Sequence, residues 1–152
     1  MTYPFTVSLV CWHDGEPLLR AIREAVFMRE QHVPAELEWD GLDELCRHAL
    51  ALSMKGDAIG CGRIIPPRDH APAHIGRLAV LPEWRNKRVG TALLEALLDY
   101  ARAMQYPEVI VHAQTQAKAF YRPFGFEEEG PEFMDAGIPH VLMRLALPRD
   151  AA

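Results

Sequence analysis

Two stretches of this chain carry residue types whose spacing could do chemistry. The first is the cationic turn Arg85-Asn86-Lys87-Arg88-Val89-Gly90, which follows the apolar run Ile75–Leu81 and Pro82 and opens an amphipathic segment. A strand that feeds a cationic turn at a helix start is a phosphate-binding device. The first N–H groups of the helix have no intrahelical acceptor, and the positive end of the helix dipole lies at the same place. The second is Tyr121, in the short amphipathic segment Ala117-Lys118-Ala119-Phe120-Tyr121 after another strand and a polar turn. Together they predict a protein that holds a phosphorylated cofactor and does chemistry on its far end. The histidines, His70 and His74 included, lack a convincing third ligand nearby, so no metal site is expected.

Composition narrows the partners. The chain has 152 residues, one domain's worth spanning 1–152, and a net charge of −5. That acidity argues against a nucleic-acid role and sets the Arg85/Lys87/Arg88 cluster against its background. Cys11, Cys46 and Cys61 form no CxxC pair, which reads as reduced and intracellular. No apolar run would span a bilayer and no signal pattern opens the chain, so a cytoplasmic location is expected and no membrane partner.

The elements that must position these residues follow from periodicity. Phe5–Trp12 reads as a strand, and Asp14-Gly15-Glu16-Pro17 as the start of a first helix that runs to about Gln31. Val33-Pro34 ends it, and Ala35–Glu44 is an acidic loop or short second helix. His48–Met54 and Ala58–Ile65 form a hairpin across Lys55-Gly56-Asp57. His74–Leu81 is a further strand after a Pro-rich loop. Val89, Ala92, Leu93, Ala96, Leu97, Tyr100, Ala101 and Met104 repeat at helical spacing. Val109–His112, Phe126–Glu129 and Val141–Leu147 read as strands, and Gln116–Arg122 as a short helix. The order is β-α-(α)-β-β-β-α-β-α-β-β, an α/β (α+β) fold with one mixed sheet.

These residues resemble the GNAT superfamily of acyl-CoA-dependent N-acetyltransferases over almost the whole chain. The superfamily's cofactor motif, Arg/Gln-x-x-Gly-x-Gly/Ala, stands here as Arg85 to Gly90, with Arg88 in place of the first Gly. A downstream motif, Asn-x-x-Ala-x-x-Φ-Tyr-x-x-x-Gly-Phe, stands as Gln114 to Phe126, with Gln114 in place of the Asn. Val26–Pro34 and Asp135–His140 are similar to the ElaA-like and YjcF-like branch. Arg88 is expected in an ordinary helical conformation, its guanidinium adding a phosphate contact.

The resemblance implies acetyl-CoA as cofactor and a small-molecule amine as substrate, with a homodimer plausible. The coenzyme A diphosphate would meet Arg85, Asn86 and the backbone N–H groups of Lys87, Arg88, Val89, Gly90 and Thr91. Gly90 would let the backbone approach closely. Pantetheine would pair with the strand edge at Leu78, Ala79 and Val80, one N–H of which would hold the developing oxyanion. Gln114 would hydrogen-bond the pantetheine arm, Phe120 would join the cofactor contacts, and Lys118 would reach the phosphates. Tyr121 occupies the family's acid position: a phenol near ~10 can protonate a leaving thiolate near ~8.5. Glu30, the acids of Glu36–Asp43 and His140 are candidate bases; Glu30, Gln31, Asp135 and His140 are candidate acceptor-site residues. Two other readings stay open, a non-catalytic acyl-CoA sensor and an acyl-homoserine-lactone synthase.

Overall fold

The computed structural model describes residues 3–148. Seven strands form one sheet in the order β1-β2-β3-β4-β5-β7-β6. They are β1 (Phe5–Val10), β2 (Arg47–Ser53), β3 (Ala58–Ile65), β4 (Ala73–Val80), β5 (Glu108–Gln114), β6 (Glu127–Asp135) and β7 (Ile138–Ala146). Every neighbouring pair is antiparallel except β4 and β5. That parallel pair requires a crossover, and helix α3 (Val89–Ala103) supplies it. Alternation along β2 decides which helix covers which face. Ala49 and Ala51 join the core under α3 with Leu93, Leu94 and Leu97, whereas Leu50 joins Leu19, Ile22 and Val26 on the other.

The first helix, α1 (Trp12–Arg23), starts earlier than its sequence suggests. Asp14-Gly15-Glu16-Pro17 lies inside it rather than at its cap. Gly15 already donates to the Cys11 carbonyl at 3.1 Å. Burial of Trp12 against the sheet sets the start. Pro17, exposed in the second turn, omits one backbone bond on the solvent side. From Glu24 to Glu30 the helix widens to π geometry instead of continuing as α. A short helix α2 (Ala35–Glu38) follows.

A second departure is Arg88. It caps α3 with φ 69° and ψ 16°, a left-handed backbone rather than a helical one. For a side chain with a Cβ this costs roughly 1–2 kcal/mol. Asn86, two residues earlier, also has positive φ at 62°. Left-handed residues in such a turn fold successive N–H groups toward a common concavity, the backbone arrangement that binds anions.

The last hairpin is longer than its sequence pattern implies. β6 and β7 meet at the two-residue turn Ala136-Gly137, with φ of 52° and 75°. A two-residue hairpin with both central φ positive is the I′ turn, whose twist matches the strands it joins. Asp135 to His140 is therefore strand and tight turn, with Asp135 opposite Ile138.

Candidate active site

The two parallel strands part. β4 and β5 pair only at Ala73–Val109, His74–Ile110 and Ile75–Val111. Beyond Ile75 the β5-facing edge of β4 is open, while its other edge stays paired with β3 through Val80. Leu81 donates to the Ile59 carbonyl of β3 at 2.9 Å. Strand groups alternate sides, so Ala79 faces β3 like Leu81, and Leu78 and Val80 face the open edge. Of the three residues expected to serve pantetheine, two turn backbone groups to the gap.

A cavity of about 240 Å³ fills the split. Ile75, Gly76, Arg77 and Leu78 form one side, His112 and Gln114 the other, and Tyr121, Gln31, Asp135 and His140 also line it. Tyr121, Gln114 and three of the four expected acceptor-site residues therefore converge. α4 (Lys118–Tyr121) is short, and Tyr121 is fixed by edge-on packing on Phe120 at 5.0 Å and Phe126 at 5.7 Å. Among the described residues no group hydrogen-bonds its hydroxyl. Burial pushes this phenol up to about 12. Its ring belongs to the buried core under α3, while the residue also lines the cavity.

Glu30 is placed elsewhere. Its carboxylate takes a bidentate pair from Arg85, Nη1 at 2.7 Å and Nη2 at 2.6 Å. The Arg85 hydrogen bond holds Glu30 below the usual carboxylate range. Arg85 Nε also donates to the Val80 carbonyl at 3.0 Å. Both residues expected to meet ligand are thereby spent on each other, and they tie the π-helix end to the cationic turn. Next along the chain, Gln31 accepts from Gln114 Nε2 at 3.0 Å.

The remaining cations differ in freedom. Lys118 reaches Glu128 at 3.3 Å, and Arg122 shares that carboxylate. Lys87 lies 5.3 Å over the Trp84 ring. Arg88 is exposed, and its guanidinium has no hydrogen-bonded partner among the described residues. The first in-helix donor of α3 is Ala92, to the Arg88 carbonyl at 3.0 Å, so Val89, Gly90 and Thr91 present unspent N–H groups. Gly90 stands beside Phe120, where a Cβ would be 3.5 Å from Phe120 Cζ.

His140 Nδ1 is 2.7 Å from the Ile138 carbonyl. A carbonyl only accepts, so Nδ1 carries hydrogen and a neutral ring keeps its lone pair on Nε2. The ring stacks on Phe133 at 5.9 Å, Phe133 meets His112 at 5.2 Å, and His112 meets His74 at 4.3 Å. Burial, reinforced by His112, drops His74 to about 3. No sequence pattern announces this aromatic wall, because it joins four strands, β4, β5, β6 and β7. No cluster of three or more metal-ligating side chains forms among the described residues.

Along the Leu37–Glu38 side of the cavity runs a buried charge network. Arg23 Nε donates to Glu38 at 2.7 Å and Nη1 to Asp43 at 2.6 Å; Arg63 donates to Asp43 at 2.9 Å and also to Asp40. The acids of Glu36–Asp43 that face inward are thus consumed by guanidinium groups. For Asp43, burial pushes the carboxyl up, but Arg23 and then Arg63 outweigh it and hold it low. Asp40 falls to about 2 by the same balance, led in the lowering sense by Arg63.

The fold matches solved acyltransferases along nearly its whole length. An acyl-CoA N-acyltransferase from Pseudomonas aeruginosa superposes with TM-score 0.83 at 27% identity, over 93% of this chain and 99% of that one. ElaA of Escherichia coli gives TM-score 0.81 at 27% identity, over 92% and 98%. In sequence, YjcF of Bacillus subtilis, described as an uncharacterized N-acetyltransferase, is 36% identical over 123 residues, 80% of this chain and 86% of that protein. A parted parallel pair beside a cationic helix start, in this company, defines an acyltransferase. Residues 16–147 match the acetyltransferase (GNAT) domain, and the chain belongs to that family. No helix among the described residues is long and apolar enough to cross a membrane.

Proposed function

We propose that this protein moves acetyl from acetyl-CoA to a primary amine of a small molecule by direct attack, with Tyr121 as general acid. The observation that carries this reading is the convergence of the open β4 edge, the Tyr121 phenol and the His140 imidazole on one cavity.

The diphosphate would lie at the start of α3, on the N–H groups of Val89, Gly90 and Thr91, with the Arg88 guanidinium as its charged partner. Each such dipole or charge contact is worth about 0.3–1 kcal/mol when exposed and up to ~2 when partly buried. Pantetheine would pair with the edge at Val80 and Leu78, displacing Arg85 Nε from the Val80 carbonyl. An N–H of that edge would hold the thioester oxygen as the tetrahedral adduct forms.

The acceptor arrives as an ammonium near pKa ~10 and must lose a proton before it attacks. Glu30, Asp40 and Asp43 are engaged by arginines, so the base falls to His140 Nε2. The leaving thiolate takes its proton from Tyr121. With its phenol raised to about 12, Tyr121 stays protonated throughout the working range. A thiolate formed beside this buried ring would be raised by desolvation in the same sense, which narrows the gap from the aqueous thiol near ~8.5.

Two substitutions test the roles. His140→Ala is expected to lower kcat/KM by about 10²-fold and to recover part of the loss as pH rises toward the acceptor's own pKa. A pH–rate profile checks it, and equal losses at all pH would remove His140 as base. Gly90→Ala fits the free protein, because its Cβ meets Phe120 and Val80 at ordinary contact distances, 3.5 and 3.9 Å. Helix propensity then favours Ala by up to ~1 kcal/mol. The same methyl narrows the path between α3, Phe120 and the Val80 edge. The expected variant melts higher and binds coenzyme A about tenfold more weakly, by thermal denaturation and calorimetry.

A non-catalytic acyl-CoA sensor would share the cofactor turn but release no free thiol with any amine. The acid and base candidates facing the cavity favour catalysis. An amine panel read by thiol release separates the two.

A further inference from the structure

Just past the point where β5 leaves it, β4 bulges. Gly76 pairs with Arg63 and Ala79 with Cys61, so Arg77 and Leu78 together oppose the single Gly62. Arg77 absorbs the extra residue with φ 54°. Gly62 makes the room, since a Cβ there would stand 2.6 Å from Leu78 Cδ2. A left-handed backbone at a long side chain persists only where its surroundings hold it.

The hold comes through the Arg77 side chain. Its Nη2 donates to the Glu38 carbonyl at 3.1 Å and the Leu37 carbonyl at 3.3 Å, and lies 3.4 Å from Asp40 Oδ2. Its Nε lies 3.0 Å from Glu38 Oε2, an ion pair without an aligned hydrogen bond. These anchors are themselves fixed. Arg23 holds both the Glu38 carboxylate, at 2.7 Å, and the Glu38 carbonyl, at 3.1 Å. Arg63 holds Asp40. The bulge is thus moored in the chain Leu37–Asp40, which belongs to the acceptor side of the cavity.

We infer that Arg77 is a positioning residue for acyl transfer: its guanidinium, moored at Leu37, Glu38 and Asp40, holds the β4 bulge that aims the Leu78 and Val80 edge at the thioester carbonyl. The inference rests on that edge being the oxyanion donor, as proposed above. Arg77 acts through the backbone, and the loop that walls the acceptor side moves as one unit with the strand that polarises the thioester.

The test needs no acceptor. Acetyl-CoA labelled with ¹³C at the thioester carbonyl is bound to the protein, and its carbonyl stretch is read by isotope-edited infrared spectroscopy beside calorimetry. Wild type is expected to shift the band to lower frequency. Arg77→Asn suits a left-handed backbone but cannot reach the loop. It is expected to lose at least about half of that shift with the acetyl-CoA Kd changed less than about threefold, because hydrogen-bond polarisation and diphosphate grip are separate contacts. Arg77→Lys keeps the charge without the fork, and is expected between the two; it carries the test if the Asn variant does not fold. A folded variant with the full wild-type shift overturns the inference and leaves the proposed function standing. Failure of both variants to fold assigns Arg77 to stability alone and overturns it too. A wild type that binds acetyl-CoA without any shift, or does not bind it, removes the oxyanion assignment and the proposed function with it.

Discussion

Tyr121→Phe is expected to lower kcat by about 10²- to 10⁴-fold, the usual worth of a general acid, with acetyl-CoA affinity nearly unchanged. The substitution removes one oxygen and keeps the ring that packs on Phe120 and Phe126. Stability should change little, because no described group bonds the hydroxyl. The pH dependence follows from the direction of the shift. The phenol must be protonated to act, and burial places it at about 12, so wild type should show no alkaline loss from this group below about pH 11. Steady-state kinetics with calorimetry on the same samples checks both halves. A Phe variant that keeps full activity from neutral to alkaline pH would take the proton-donor role away from Tyr121.

The second large effect lies in the buried charge network. Asp43→Asn keeps the shape but leaves Arg23 and Arg63, at 1% and 4% exposure, short of negative charge. Breaking one partner of a buried ion cluster costs about 3–5 kcal/mol. Denaturant titration should therefore show a midpoint far below wild type, with the m-value retained. The same network sets the acid limit of the fold. Asp40 and Asp43 have folded pKa values below their unfolded ones, so their stabilisation is present above the unfolded value and lost as pH falls through the folded value. For Asp40 that window runs from 3.8 down to about 2. Wild type should lose stability across it, and the Asp43→Asn variant should lose less, having surrendered one of the titrating carboxylates.

Much of this was legible in the chain. Strands such as β5 and the helix α3 are marked by their apolar spacing, because each buries a face against the core, whereas β6 is exposed along nearly its whole length and only its first residues read as strand. The run from Gln114 to Phe126 points to Tyr121 through its resemblance to the acetyltransferase motif, and Tyr121 lines the cavity. What was hidden is long-range or conformational. Glu30 and Arg85 are 55 positions apart, and Arg63 and Asp40 23 apart, so no local pattern announces that the arginine expected on phosphate is paired with the expected base. The left-handed backbone at Arg88 had one signal, the Gly that the motif carries at that position, and the presence of Arg argued against it because a side chain with a Cβ disfavours that conformation. The histidine wall of His74, His112 and His140 depends on strand register across β4, β5 and β7, which a single sequence does not disclose.

The central claim is that a diphosphate is held where α3 begins, with the thioester carried along the open β4 edge toward Tyr121. Calorimetric titration with coenzyme A and, separately, with pantetheine tests it most directly. One coenzyme A site per chain is expected, with at least about 100-fold weaker binding of pantetheine, a difference of about 2.7 kcal/mol. Equal affinity for the two, or no heat with coenzyme A, would contradict it.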